Sequence, residues 1–306
     1  MISRRNIRVK VLQTLYSLER QEEKPRPAEA GKLLTKRFDQ SRELLAYLIH
    51  FITEVARFSE TDAKNKASKH LPSKQDLEVS TRIAGNLLLW KILEHPSYQL
   101  AEKEWKPQLK DDRELIKRIY QELTATEKYQ EYIALQSRDK KEEKEILEFI
   151  LSDLMLPNEH FTSFIEEEFS NWEDDAEMVS LLTVGFLNKP SGLELQELMT
   201  NDKKKFAEDL LLASLEKKEL ALEYIIPKLK NWDPERIAIL DMLLMRMGVC
   251  EFLFFETIPP KVTINEYIDL AKEYSTEQSG HFINGILDNI HKDLVQSNKM
   301  HKIAFK

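Results

Sequence analysis

Seven glycines in 306 residues leave this chain few places where the backbone can turn sharply. Ordinary usage is roughly 7%, which would give a chain of this length about three times as many. Designs that depend on glycine are therefore removed at once. No G-x-G-x-x-G and no G-x-x-x-x-G-K-[ST] run occurs, so neither a dinucleotide fold nor a P-loop has its phosphate cradle. Many-stranded sandwiches need turn residues every ~8–12 positions and fail on the same ground. What remains is a charged, turn-poor chain, and the fold class it predicts is all-α.

The other totals narrow the class further. Lys and Arg number 45 against 53 Asp and Glu, a net charge of −8. The single cysteine, Cys250, allows no internal disulfide and no Cys-rich zinc module, as expected of a reducing cytosol. The first residues are basic but show no unbroken apolar run and no small-residue cleavage site, so no export signal is expected and the localisation predicted is cytoplasmic. The most apolar stretch, Ile237 to Phe255, carries Asp241, Arg246 and Glu251. Three charges argue against a membrane span and for a buried core helix with one wet edge.

Apolar periodicity predicts helices along the whole chain and no strand. Ser3 is a candidate N-cap for a helix over 3–20 with Ile7, Val11, Leu15 and Leu18 on one stripe, ended by Pro25 and Pro27. Further helices are expected over 38–58, 73–93, 110–135 and 141–156. Residues 161–188 hold Glu166, Glu167, Glu168, Glu173, Asp174, Asp175 and Glu177 and no Lys or Arg, which predicts an acidic amphipathic helix with a solvated face. A short helix is expected after Gly192, then a break at Asn201-Asp202 and a long helix to about Lys230. Asp233-Pro234 is read as an N-cap with proline at the first helical position. Thr263–Glu266 and Ser275–Gln278 are read as capping boxes, the second opening a last helix with Ile283, Ile286, Leu287, Ile290 and Leu294. Asn284-Gly285 within that helix is read as a helix-crossing point, because glycine costs about 1 kcal/mol there relative to alanine.

No catalytic or metal-binding constellation emerges. The seven histidines lack any H-E-x-x-H pattern or ligand spacing. Cys250 sits in an apolar helix with no basic neighbour to lower its pKa, where a thiol is an inert small hydrophobe. One local feature stands apart: Arg4, Arg5, Arg8 and Lys10 open an acidic protein without a single acid among the first eighteen residues. Three of these cations fall where the helix macrodipole disfavours them, an arrangement that makes sense if an anion binds there. Arg5, Val9, Leu12 and Tyr16 fall on one stripe, which would set a ring beside the patch. Arginine for phosphates with a ring for stacking is equipment for single-stranded RNA. The alternative is a basic terminus that merely aids solubility.

Taken together, Arg4-Arg5-x-x-Arg8-x-x-x-x-Gln13-x-x-Tyr16, Arg236-Ile-Ala-Ile-Leu240, Ile258-Pro-Pro-Lys-Val-Thr-Ile-Asn-Glu266, Leu270-Ala-Lys272 and Ser279-Gly-His-Phe-Ile-Asn-Gly-Ile-Leu-Asp288 resemble the NusB family of bacterial transcription antitermination factors. The resemblance covers about residues 1–20 and 203–295. It implies a NusB-like helical bundle formed by residues 1–20 and 201–306, with 21–200 as an inserted helical region of unknown role. It also implies a non-enzymatic protein that needs no cofactor. Such a protein binds boxA-type single-stranded RNA of ribosomal RNA leaders together with NusE, a small-subunit ribosomal protein, within the RNA polymerase antitermination complex.

The RNA-contacting residues implied are Arg4, Arg5, Arg8, Gln13 and Tyr16 on the first helix and Gln278, Ser279 and Phe282 on the last. Glu251, read as exposed, and Phe254 are candidates for the protein-partner interface. Asn6 interrupts the arginine run, and Gln278 stands where the family often has an acid. Two competing classes remain. One is the RNA-binding domain found at the N-terminus of some ribosomal RNA cytosine methyltransferases, which would require a glycine-rich cofactor site in a following domain. The other is a ribosome-biogenesis module whose acidic 161–178 stretch docks a basic protein or covers the arginine patch.

Overall fold

The computed structural model describes residues 1–21, 26–229 and 233–303. Pro25 and Lys230, at two of the predicted helix ends, lie outside the described residues. Among the described residues there are 15 α-helices and no strand, so the protein is all-α as its glycine content required. The chain divides into two compact units, one made of residues 2–38 and 199–306 and the other of residues 39–198 with Met1.

The first unit opens with α1 (Arg4–Glu19) and resumes with α11 (Asn201–Glu216), α12 (Lys218–Ile225), α13 (Ile239–Phe254), α14 (Pro260–Tyr274) and α15 (Glu277–Gln296). Helix α13 is its axis, packed against α1, α11, α12, α14 and α15. It is apolar on every side because every side is covered: Leu243, Leu244, Met245, Met247, Val249, Cys250 and Phe252 are all buried. Each such aliphatic or aromatic side chain contributes about 1.5–3 kcal/mol on burial. The most extensive pairing joins α14 to α15 through the Ser275–Thr276 turn.

The expected wet edge of α13 is absent. Asp241, Arg246 and Glu251 are all buried, and each bonds another helix. Arg246 donates to the Ser214 carbonyl at 2.8 Å and to Glu19 at 3.3 Å, and Asp241 accepts from Ser279 at 2.9 Å. The predicted crossing point moves as well. Gly285 is exposed with open space where a Cβ would stand, whereas a Cβ on Gly248 would meet both Leu287 Cδ atoms at 3.0 Å. Gly248 is where α13 and α15 approach closely.

The second unit is threaded by α2 (Pro27–Ala67) from Asp39 onward, with Leu44, Leu45, Leu48, Phe51, Ile52 and Val55 fully buried. Around it stand α3 (Lys74–Leu77), α4 (Leu87–Leu93), α5 (Pro96–Trp105), α6 (Arg113–Ala125), α7 (Glu127–Ala134), α8 (Lys140–Phe149), α9 (Glu159–Glu168) and α10 (Trp172–Asn188). Tyr47, Phe51, Phe161 and Phe169 form its aromatic centre, with ring centroids 4.9–6.1 Å apart.

Several expected boundaries shift, each for a tertiary reason. The single helix expected over 73–93 is two short ones. Arg82 is drawn to the carbonyls of Leu135 and Ser137, and Asn86 caps α4 while donating to the Glu143 carbonyl at 2.7 Å. The short helix expected after Gly192 does not form, because the Leu195 amide donates to Ser97 Oγ at 2.6 Å and Gln196 donates to the Ser97 carbonyl. The acidic 161–188 stretch is two helices. Its Asp175 is buried against Ser41 and Asn171 and so is no part of a solvated face. The long helix after 201 breaks at Lys217, and Pro227 sits in a 3-10 turn. Asp233-Pro234 also leads only a 3-10 turn, and α13 starts at Ile239. Pro260 opens α14, which puts Thr263–Glu266 inside the helix, and the cap of α15 is Thr276 in place of Ser275.

Candidate nucleic-acid interface

The opening turn of α1 is capped without an acid. Ser3 Oγ accepts from the Asn6 amide at 3.1 Å, and Asn6 Oδ1 accepts from the Ser3 amide at 3.3 Å. This is a capping box closed by a neutral side chain, which accounts for the asparagine in the arginine run and leaves the helix end positive. Arg4 is exposed and lies over the Phe206 ring of α11, 5.4 Å from its centroid. Arg5 is part-exposed and reaches α14, 2.7 Å from Glu273 and 3.8 Å from Asp269. That reach sets the start of α1 beside the α14–α15 turn, so residues about 270 positions apart in sequence share one surface.

Arg8 is not on that surface. Its side chain is 2% exposed, and its Nε and Nη2 donate to the two oxygens of Glu251, itself 0% exposed, at 2.6 and 3.0 Å. Thr263 and Tyr267 donate to the same carboxylate at 3.1 and 2.8 Å, and Glu266 accepts a further bond from Arg8 at 3.1 Å. Burial alone would lower the Arg8 pKa, but the hydrogen bonds and charge of Glu251 carry it above the ordinary arginine value. Burial, reinforced by the Glu251 charge, likewise raises the Tyr267 hydroxyl well above its usual range, so it stays protonated and donates. Two residues expected on different surfaces, Arg8 for RNA and Glu251 for a protein partner, are thus one internal ion pair joining α1, α13 and α14. Sequence periodicity misses this because an arginine on an apolar stripe reads the same whether it snorkels to water or finds an acid inside.

The remaining candidates separate in the same way. Ser279 is buried, bonded to Asp241 and to the Thr276 hydroxyl, and holds the start of α15 to α13. Gln278 is exposed at the opening of α15, Phe282 is part-buried one turn on, and Phe254 is exposed near the end of α13. Gln13 is part-buried, and its carbonyl accepts from Arg37 at 3.1 Å. Tyr16 lies roughly 16 Å along α1 from Arg5 at 1.5 Å per residue. Between them Val9 and Leu12 are buried, and the Tyr16 ring carries Arg20 at 5.5 Å. The ring beside the opening turn is therefore Phe206, which the spacing of α1 alone could not supply. The signal for it was the Lys203–Lys205 run immediately before.

Elsewhere the chemistry is quiet. Burial pushes the Cys250 thiol up to about 12, which leaves almost no thiolate. Among the described residues no group of three or more His, Cys, Asp or Glu is placed to hold a metal ion, and no helix is long and apolar enough to cross a membrane. Charge is divided unevenly. The unit of residues 2–38 and 199–306 holds 25 Lys and Arg against 21 Asp and Glu (25 − 21, net +4), while residues 39–198 hold 20 against 32 (20 − 32, net −12).

Comparison with known proteins bears mainly on the unit of residues 2–38 and 199–306 and takes in the end of the other. The model of the NusB family matches residues 170–292. Transcription antitermination protein NusB of Salinibacter ruber is 44% identical over 97 residues, 32% of this chain and 61% of the relative. The protein of the same name from Methylacidiphilum infernorum is 44% identical over 90 residues, 29% of this chain and 63% of the relative. That from Chloroherpeton thalassium is 46% identical over 72 residues, 24% of this chain and 34% of the relative. The chain thus spans about six tenths of the length of the first two curated relatives and a third of the last. No solved structure matches it. Residues 170–292, which include the helices that meet the opening turn of α1, are thus similar to the NusB family, as one part of a longer chain.

Proposed function

We propose that this chain is a transcription antitermination factor that works by binding alone, with no bond made or broken. Its ligand is boxA-type single-stranded RNA, taken up in the cytoplasm together with NusE as part of the RNA polymerase antitermination complex. The observation that carries this reading is the position of Arg4 and Arg5, with exposed cationic groups at the acid-free start of α1, beside the α14–α15 turn of the region similar to the NusB family. Arg4 and Arg5 neutralise phosphates, Gln13 and Tyr16 continue the path along α1, and Gln278 and Phe282 contribute from α15. Arg8 and Ser279 act from beneath, as positioning residues that fix α1 on α13 and the α15 start on Asp241. Phe254 is the contact offered to NusE, with Glu251 withdrawn from that role because it is buried.

The test is a fluorescence titration of boxA-like RNA, with and without NusE, against wild type and Arg4→Ala/Arg5→Ala. The double variant should bind more weakly, with a shallower salt dependence, by about 0.7 in the log–log slope for each single-strand phosphate left without its cation. Equal affinity of the two proteins at low salt would remove Arg4 and Arg5 from the site.

A further inference from the structure

We propose that Lys204 and Lys205, in the first turn of α11, extend the phosphate-binding surface of Arg4 and Arg5, so that one RNA strand crosses the opening turns of both helices. This rests on the RNA-binding reading above. Three observations bring the two turns together. Lys203 Nζ donates to the Ile2 carbonyl at 2.5 Å, which ties the start of α11 to the residues just before α1. Arg4 lies over Phe206, the residue that follows Lys205. The two helices also pack against each other.

Lys205 is exposed and Lys204 half-buried, and neither has an ion-pair partner among the described residues. Glu208 and Asp209 stand one turn on, at the spacing where acids ordinarily neutralise a solvated helix face. Neither forms an ion pair with these lysines. Lys203 and Arg4 add like charge beside them, Asp202 is the one acid in the same first turn of α11, and the helix ends disfavour cations placed there. A polyanion supplies the counter-charge that the protein's own acids do not bring to Lys204 and Lys205 as ion pairs. A lysine ammonium is a strongly hydrated point charge with no planar fork for base edges. Cations of this kind fix a strand by its phosphates and carry no sequence information.

The test uses the full chain and a short labelled single-stranded RNA carrying the boxA-like sequence, with a scrambled strand of equal length as a second arm. Lys204→Ala/Lys205→Ala should weaken binding to both strands by the same factor and flatten the log–log salt slope by about 1.4, that is ~0.7 for each of two phosphates. Lys217→Ala, at the far end of α11 roughly 20 Å away, should leave the slope at its wild-type value. Wild-type affinity that survives in the double lysine variant overturns the α11 path and leaves the α1 reading standing. An equal slope change in Lys217→Ala overturns it too, because the effect would then be one of bulk charge. A wild-type protein without measurable RNA affinity overturns both readings together. Both lysines are surface residues, so matching circular dichroism spectra and melting temperatures confirm that the variants compare the same fold.

Discussion

Glu251→Gln keeps the shape of the side chain at the centre of the α1–α13–α14 junction and removes its charge. Four donors converge on that carboxylate: two from Arg8, one from Thr263 and one from Tyr267. A glutamine offers one acceptor oxygen and turns an NH2 toward the rest, so about half of those bonds lose their partner. Buried donors left unpaired cost about 1–3 kcal/mol each, and a buried ion pair broken from one side costs about 3–5 kcal/mol. Glu266, with its side chain 27% exposed, stays 3.1 Å from Arg8 and keeps part of the compensation. The expected loss is therefore near the low end, about 3 kcal/mol.

Arg8→Met should cost a similar amount, because it leaves Glu251 buried without its counter-ion. Arg8→Met/Glu251→Leu should cost less than the two single losses added together. Urea titration followed by far-UV circular dichroism reads these values. The transition that moves is assigned to the unit containing α13, since two units need not unfold as one. The reasoning is refuted if Arg8→Met stays within about 0.5 kcal/mol of wild type while its RNA affinity falls tenfold. Arg8 would then be a phosphate ligand and the ion pair incidental.

Two glycines of the same unit should respond in opposite directions. Gly248→Ala drives a Cβ to 3.0 Å from Leu287 and should cost about 1–3 kcal/mol, whereas Gly285→Ala enters open space and should gain up to about 1 kcal/mol. Melting temperatures that shift the same way in both would contradict the assigned crossing point. In residues 39–198, burial holds the buried His50 imidazole down at about 4 from an ordinary 6.5, against the opposing charge of Asp112. Between those two values the unfolded chain binds a proton that the folded state refuses, so stability is lost as pH falls through that window, on the order of 3 kcal/mol in full. His50→Gln should flatten the dependence in urea titrations at pH 7 and pH 4, and an equally steep dependence in the variant would assign the acid sensitivity to other groups.

Much of the helical inventory could be read from apolar spacing. The Ile7–Val11–Leu15–Leu18 stripe is buried as a stripe, and the last helix buries Ile283, Ile286, Leu287, Ile290 and Leu294. Boundaries set by local capping were legible where nothing else competed, as at Ser3. They failed where a distant group offered a better bond, as Ser97 does to Leu195 and the Glu143 carbonyl does to Asn86. A cap and a tertiary hydrogen bond are of similar strength, about 1 kcal/mol each, so the nearer partner does not always win.

Sequence alone determined that the chain is helical, because seven glycines permit little else, and that its start is cationic and free of acids. It could not say which of those cations meets solvent. An arginine beside apolar neighbours is compatible with either outcome, and the choice depends on whether an acid from another helix arrives at the same depth. Glu251 and Glu266 arrive for Arg8, Glu273 and Asp269 reach Arg5 only at the surface, and Arg4 finds the Phe206 ring. The packing of α13 among its neighbours made that choice, since only the assembled bundle brings charges more than 240 positions apart within hydrogen-bonding distance.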